Sequence, residues 1–203
     1  MIVRVLSIFL LFSLAACSSV QPLPKTQHYL LDTALSADAD TIKVAKAKVT
    51  VVDVPDYLKQ SSLVMVNSNN AMQIAQYHRW ANRVSDSISS ALSADINATL
   101  SDSAAYSSCT ECIVVNVHIE HFYPTQEGDV HFTGYFQIAE FIGSPNQVVS
   151  NDITWELTDT TKHRFNLQAE MDKDGYGEAV SKMRKLVSQL AKRVIETLPA
   201  EPA

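Results

Sequence analysis

The stretch "IVVNVHIEHFYPTQEGDVHFTGYFQIAEFI", residues 113–142, decides the fold. Its two halves are dense in β-branched and aromatic residues, and the polar loop "TQEGD" separates them, which is typical of two strands joined in a hairpin. The turn "GSPN" and the strand-like runs "QVVSNDITWELT" (147–158) and "HRFNLQAEM" (163–171) follow. Because these connections are short, we predict an antiparallel meander in this part of the chain.

Shorter strand-like segments precede this region. "HYLLD" (28–32) and "AKVTVVDV" (47–54) predict two strands, and Pro55 ends the second because proline has no N–H to donate to a ladder. "SSLVMVNS" and "AMQIAQY" alternate apolar and polar residues on either side of Asn69 and Asn70. That pattern predicts a hairpin.

Two segments repeat apolar residues at helical spacing. From Asn82, apolar residues recur at every fourth position (Val84, Ile88, Leu92, Ile96 and Leu100). The last segment follows the i, i+3, i+4, i+7 rule from Tyr176 to Leu198, with Asp174 as the expected N-cap and Pro199 after its end. The prediction is therefore an α/β fold: a single domain over residues 28–199 with a mixed, mostly antiparallel sheet packed by two amphipathic helices.

The N-terminus has the pattern of a secretion signal. Arg4 precedes the apolar run Val5–Ala16, which is shorter than the about 20 residues that span a bilayer. Leu14-Ala15-Ala16-Cys17 resembles the lipobox of bacterial lipoproteins, which implies cleavage after residue 16, acylation of Cys17, and a tether over residues 17–27. Serine rather than aspartate at position 18 indicates the outer membrane, with the domain on its periplasmic face. The alternative is a soluble periplasmic protein cut at an ordinary site, but Leu14 and Ala16 do not form the usual small-x-small pair.

Length and charge limit the remaining possibilities. Loss of residues 1–16 leaves 203 − 16 = 187 residues, enough for one domain with a sizeable core. Arg4 is the only charged residue lost, so 15 basic residues face 22 acidic ones and the net charge becomes −7. An acidic chain of this kind does not favour nucleic-acid binding.

The other two cysteines, Cys109 and Cys112, stand in "SSCTECIVV". An oxidising periplasm favours a disulfide between them that closes a small loop. A redox-active pair is the alternative, but such a motif normally opens a helix, and this one leads into a strand.

Motifs of common enzymes do not occur in the sequence. The five glycines have neither phosphate-loop nor dinucleotide-binding spacing, and neither G-x-S-x-G nor H-E-x-x-H is present. His118, Glu120 and His121 come nearest to a metal site, but positions 118 and 121 of a regular strand point to opposite faces and could share an ion only across a bulge. We therefore predict no catalytic residues, no metal and no cofactor.

Three short stretches contain aromatic residues that suggest a contact surface. Tyr57 and Leu58 follow a strand end, Arg79 and Trp80 precede the first helix, and Tyr176 begins the last one. Packing in the core is one interpretation of these five residues. Contact with a partner protein is the other, since interfaces are enriched in aromatic residues and arginine.

The same stretches carry a resemblance to a known family. The lipobox is followed, in order, by "YLL" (29–31), "VPDYL" (54–58), "RWA" (79–81) before a helix, and "DGY" (174–176) at the start of the C-terminal helix. In this order they resemble the ABC-type transport auxiliary lipoproteins; the cysteine pair is a departure. The resemblance implies a non-catalytic outer-membrane lipoprotein, and we expect a homo-oligomer. The resemblance further implies that the lipoprotein acts with a mammalian-cell-entry (MCE) domain protein and with inner-membrane transporter components that move lipids. The rival hypotheses are an outer-membrane assembly lipoprotein and an envelope hydrolase.

Overall fold

The computed structural model describes residues 23–31, 47–100, 113–140 and 161–198. Several sequence predictions lie outside these ranges: the signal segment, Cys17, the pair Cys109 and Cys112, and the predicted strand over 147–158.

Seven strands and two helices make up the described part of the chain. In order they are β1 (Gln27–Tyr29), β2 (Ala47–Asp53), a 3₁₀ turn (Asp56–Leu58), β3 (Ser62–Val66), β4 (Met72–Trp80), α1 (Val84–Leu100), β5 (Ile113–Pro124), β6 (Asp129–Glu140), β7 (His163–Glu170) and α2 (Tyr176–Thr197). The predicted α/β class, with two helices and mostly antiparallel strands, is confirmed. The first strand begins at Gln27, one residue inside the expected tether.

The strands form two sheets where the sequence predicted one. One sheet has the order β1-β4-β3 and the other β2-β5-β6-β7. They are joined where β3 ends, because Val66 makes a parallel bridge to Thr125 and accepts a 2.8 Å hydrogen bond from the Gln126 N–H. Strand β2 ends at Asp53, just before Pro55, so the following hairpin starts a separate sheet.

The four-stranded sheet contains most of the predicted meander. Strand β5 is antiparallel to β6, β6 is antiparallel to β7, and β2 joins the edge of β5 in parallel. On the inner face, the rings of Phe122, Phe132, Phe136 and Phe165 are buried in the core, and α1 and α2 contribute to the same core.

Both helices bury the apolar positions that their periodicity predicted. In α1, all five residues at every fourth position are buried, and in α2 the apolar residues from Ala179 to Val194 are buried. Helix α2 starts at Tyr176 with Gly175 as its N-cap residue, so the prediction of Asp174 as the N-cap is wrong. Gly175 has a φ of 115°, which glycine adopts without strain because it has no Cβ atom. No side chain caps this helix. Neither helix is long and apolar enough to cross a membrane, within the ranges described.

The polar face of α1 covers the edge of the four-stranded sheet. Three α1 side chains spaced four residues apart (Ser89, Ser93 and Asn97) accept hydrogen bonds from the backbone N–H groups of Val51, Val49 and Ala47 at 3.1, 3.2 and 2.8 Å. Asn97 also donates to the Ala47 carbonyl at 2.9 Å. Unpaired strand edges are sites of unwanted pairing with other chains, so these side chains protect β2.

An ion pair joins the two helices. Arg184 on α2 donates to both carboxylate oxygens of Asp95 on α1, at 2.7 and 2.8 Å, and the Ser188 hydroxyl donates to the same carboxylate at 2.8 Å. The two charged side chains are only 12% and 16% exposed. The bidentate geometry fixes α1 against α2.

Candidate functional site

Three of the motifs that resemble the family meet at one point in the structure. Strand β1 runs parallel to β4, with Tyr29 opposite Trp80, and the Ala81 N–H donates to the Tyr29 carbonyl at 2.9 Å. The Tyr29 hydroxyl lies 2.8 Å from Nδ1 of His78, and the His78 ring stacks on Tyr176 with ring centroids 4.3 Å apart. We call Tyr29, His78 and Tyr176 the motif cluster; it joins the three-stranded sheet to the start of α2.

Both tyrosines of the motif cluster are partly removed from water. Burial, and secondarily the proximity of Tyr176, raises the pKa of the Tyr29 phenol above its usual value. Burial also raises the pKa of the Tyr176 phenol. The two phenol groups therefore remain neutral under physiological conditions, and the Tyr29 hydroxyl, the His78 ring and the Tyr176 ring form a hydrogen-bonded and stacked joint.

The five predicted contact residues occupy different environments. Trp80 and Leu58 are core residues, 7% and 3% exposed, so packing explains both. Arg79 is exposed on β4, and Tyr176 is half-buried at the start of α2. Trp80 lies opposite Tyr29 in the register of β1 with β4, and Tyr176 stacks on His78, so these two residues meet at the motif cluster. Arg79 is instead opposite His28, and its side chain alternates to the other face of the three-stranded sheet.

Tyr57 and Leu58 lie elsewhere, at the edge of β5 that β2 leaves uncovered. The 3₁₀ turn after Pro55 brings the Tyr57 hydroxyl to the Phe122 N–H, which donates to it at 3.0 Å, while Leu58 enters the core. Burial raises the pKa of Tyr57 to about 12, although the hydrogen bond from Phe122 acts in the opposite direction. The turn thus satisfies a backbone donor where the ladder between β2 and β5 has ended.

The outer face of the four-stranded sheet, opposite the helices, carries rings that the sequence analysis did not select as contacts. His118 stacks on Tyr135 with centroids 4.5 Å apart, and Tyr123 lies 5.7 Å from both His121 and His131. Tyr57 packs edge-on against Tyr123 at 6.2 Å. We call His118, His121, Tyr123, His131 and Tyr135 the aromatic face; its side chains are half-buried or exposed.

A β-bulge places both β5 histidines on this face. The register shifts between Ile119 and His121, so Ile119 and Phe122 are buried while Glu120 and His121 are both exposed. The expectation that His118 and His121 point to opposite faces is therefore wrong, because a bulge adds one residue to the alternation. Within the described ranges, no three histidine, cysteine or acidic residues group to hold a metal ion.

Gly134, on the neighbouring strand, gives the bulge its room. A Cβ atom at this position would lie 2.1 Å from the His118 carbonyl oxygen, far closer than two such atoms can approach. A glycine inside a strand is the available sequence signal for a close backbone approach, and position 134 shows it. That signal could have revealed the shared face of the histidines.

An exposed ion pair borders the aromatic face. Arg164 on β7 reaches across to Glu120 at 3.2 Å, and both side chains are largely solvated, at 73% and 40% exposed. Together with Thr133, Asn166 and Arg193 they line a shallow depression. The surface therefore presents aromatic rings with charged side chains at its margin, which is a composition typical of protein interfaces.

Comparison with known proteins agrees with the resemblance of the motifs. The family model described as "ABC-type transport auxiliary lipoprotein component" matches residues 29–195. No protein of curated function is significantly similar to the chain in sequence.

Two solved structures share the fold. A crystal structure titled as an uncharacterized protein is 18% identical with a TM-score of 0.61, covering 85% of this chain and 98% of its own. A Xanthomonas campestris protein that carries the family-model name DUF330 is 8% identical with a TM-score of 0.55, covering 84% and 93%. These likenesses concern the fold alone. Because the family model extends over most of the chain, the protein belongs to the family of ABC-type transport auxiliary lipoprotein components.

Proposed function

We propose that the protein is a non-catalytic adaptor of a lipid-transport system, anchored in the outer membrane with its domain on the periplasmic face. Membership of the family implies a lipid-anchored location and association with an ABC-type transporter. The finer proposal is that it docks an MCE-domain protein, and through it the inner-membrane transporter components, to the outer membrane.

The anchor in this proposal is Cys17. Acylation of this cysteine and cleavage before it follow from the lipobox resemblance of Leu14-Ala15-Ala16-Cys17. Several acyl chains hold a protein on a membrane effectively without release, whereas a single chain binds only marginally. Mass spectrometry of the mature protein isolated from membranes tests this point, and an unmodified thiol at position 17 would overturn it.

The observation that carries the docking proposal is the aromatic face. It presents five ring-bearing side chains on a sheet surface that neither helix covers. Tyrosine is among the residues that dominate binding energy at protein interfaces, because it offers a large, stiff, amphipathic contact area. We assign this face the main contact with the MCE-domain protein.

The contact residues predicted from sequence keep a secondary place in this proposal. Tyr57 borders the aromatic face through its contact with Tyr123, Tyr176 is half-buried in the motif cluster, and Arg79 is exposed beside His28 on the other face of the three-stranded sheet. Leu58 and Trp80 act from the core by holding these residues in position. We also propose that Cys109 and Cys112 form a disulfide in the periplasm.

The decisive experiment measures binding of the purified lipoprotein to its MCE-domain partner. The double variant His121→Glu/His131→Glu places two carboxylates on the aromatic face, where charges are disfavoured at the core of an interface. We expect affinity to fall about tenfold or more, the scale of interface residues that matter. The variant must keep the far-ultraviolet circular dichroism of the parent.

A control comes from helix α1, on the side of the four-stranded sheet that carries the helices. Ser90 is exposed there, and Ser90→Glu adds a carboxylate away from the aromatic face and from the other proposed contact residues. It should leave affinity within about twofold of the parent, as a residue outside an interface does. Equal affinity for the double variant and the control would refute docking through the aromatic face.

We also propose that the protein assembles as a homo-oligomer, since a closed ring or dimer repeats one contact surface several times. Mass photometry of the detergent-solubilised lipoprotein gives the oligomer number. A single monomer peak at the concentration that supports partner binding would contradict this proposal.

A further inference from the structure

The β3–β4 hairpin combines exposed apolar side chains with an uncharged turn. Met72 and Ile74, two residues apart on the same face of β4, are 39% and 59% exposed. The turn before them, residues 67–71 ("NSNNA"), has no ionisable side chain, and Asn70 adopts a φ of 58° in it. Large exposed aliphatic residues beside a polar turn are a feature of surfaces that meet a membrane or a partner.

The direction of β1 shows which end of the molecule faces the anchor. Strand β1 runs parallel to β4, so the preceding chain enters β1 from the side on which the β3–β4 turn lies. Leu23, on this entering segment, is 80% exposed. Three of the four large exposed hydrophobic residues in the described ranges (Leu23, Met72 and Ile74, but not Leu30) therefore belong to the entering segment or to the hairpin.

The distance to the anchor is short. The six positions from Cys17 to Pro22 can extend over at most roughly 20 Å. Leu23 must therefore stay within about that distance of the acyl attachment point, less than the thickness of the hydrocarbon core of a bilayer. A domain on so short a tether meets the membrane mainly with the side from which the tether leaves.

We propose that the tip of the β3–β4 hairpin rests on the bilayer, with Met72 and Ile74 inserted at the level of the lipid headgroups. This proposal rests on the acylation of Cys17. The contact keeps one orientation of the domain on the membrane and leaves the aromatic face accessible from the side for the partner. The apolar area of two such residues adds little to the affinity of the anchor itself.

The charges around the hairpin nearly cancel. The β5–β6 turn lies next to the hairpin, because Gln126 donates from its side chain to Gln73 at 2.8 Å, and this turn exposes Glu127. An acidic group at the margin is repelled by anionic lipid. Lys25, exposed on the entering segment, carries the opposite charge and offsets this repulsion. The side that meets the membrane is therefore close to neutral, and its insertion into a phosphatidylethanolamine-rich bilayer should depend little on the fraction of phosphatidylglycerol.

Quenching by brominated lipid tests the contact. The acylated protein with Ile74→Trp is reconstituted into phosphatidylethanolamine-rich vesicles whose acyl chains carry bromine close to the headgroup. The emission of the substituted position is the difference between variant and parent. We expect this emission to be quenched and blue-shifted, to a similar extent when phosphatidylglycerol is increased at low salt. The control is Lys192→Trp, at an exposed position near the C-terminal end of α2; its emission should be unaffected.

The outcomes separate this contact from the anchor. Vesicle flotation first reports whether the protein is attached, and failure to float would overturn both the anchor and the hairpin contact. If the protein floats but Ile74→Trp is quenched no more than Lys192→Trp, the anchor stands and the hairpin proposal is wrong. A blue-shifted but unquenched Ile74→Trp would mean that a second copy of the chain covers the hairpin, which also overturns the proposal.

Discussion

The two faces of the four-stranded sheet use rings in different ways. On the inner face, Phe122, Phe132 and Phe136 are fully buried under the helices and touch one another or other core residues. On the outer face, the rings of the aromatic face pack against one another and against Tyr57, with no helix over them, and stay in contact with water. The same strands therefore supply stability from one side and a contact surface from the other.

The largest expected effect comes from removing one ring on each face. Phe132→Ala should lower the free energy of unfolding by about 3–5 kcal/mol, because it leaves a cavity among fully buried side chains. Tyr135→Ala, three residues later on the same strand but on the outer face, should cost roughly 1 kcal/mol, the scale of a cross-strand aromatic pair. Urea unfolding followed by circular dichroism measures both. Equal losses would show that the outer face is part of the core.

The bulge that shapes the aromatic face predicts the next effect. Gly134→Ala would press a methyl group against the His118 carbonyl, so the free energy of unfolding should fall by about 2–3 kcal/mol as the backbone shifts. Gly177→Ala is the control: its Cβ would lie 3.9 Å from the Tyr29 ring, an ordinary contact, and alanine favours a helix. That variant should be neutral or slightly stabilising. A tolerated alanine at position 134 would mean that the bulge has no strict need for glycine.

The sequence predicted the helices and strands well because their signals are local. The apolar residues of α1 recur at every fourth position, and those of α2 follow the i, i+3, i+4, i+7 rule. Each pattern can be recognised within a single segment, and both helices were confirmed. The β3–β4 hairpin likewise followed from alternation on either side of Asn69 and Asn70.

The division into two sheets and the shared outer face of His118 and His121 escaped prediction because they depend on distant residues. The division into two sheets depends on where β2 stops pairing with β5. The shared face of the two histidines depends on Gly134, which lies on the neighbouring strand β6. Neither is encoded in the periodicity of a single segment. The contact candidates were divided for the same reason: burial of Trp80 and Leu58 depends on the helices and sheets around them.

Tyr57 stands at the boundary between the two faces, and its substitution gives the smallest and most specific effect. Tyr57→Phe leaves the Phe122 N–H without its acceptor, so the free energy of unfolding should fall by about 1 kcal/mol at neutral pH.

The effect of Tyr57 also depends on pH. Burial raises the pKa of this phenol to about 12, from the value near 10 that it has in the unfolded chain. Between these two pH values the folded state keeps the phenol proton and the unfolded state loses it. The stability that Tyr57 adds is thus complete below about pH 10 and declines between about pH 10 and pH 12. Urea unfolding of the parent and of Tyr57→Phe across this range should show the difference shrinking with pH, while other tyrosines affect both proteins alike. A difference that does not change with pH would mean that the Tyr57 hydroxyl is solvated and that the 3₁₀ turn does not seal the edge of β5.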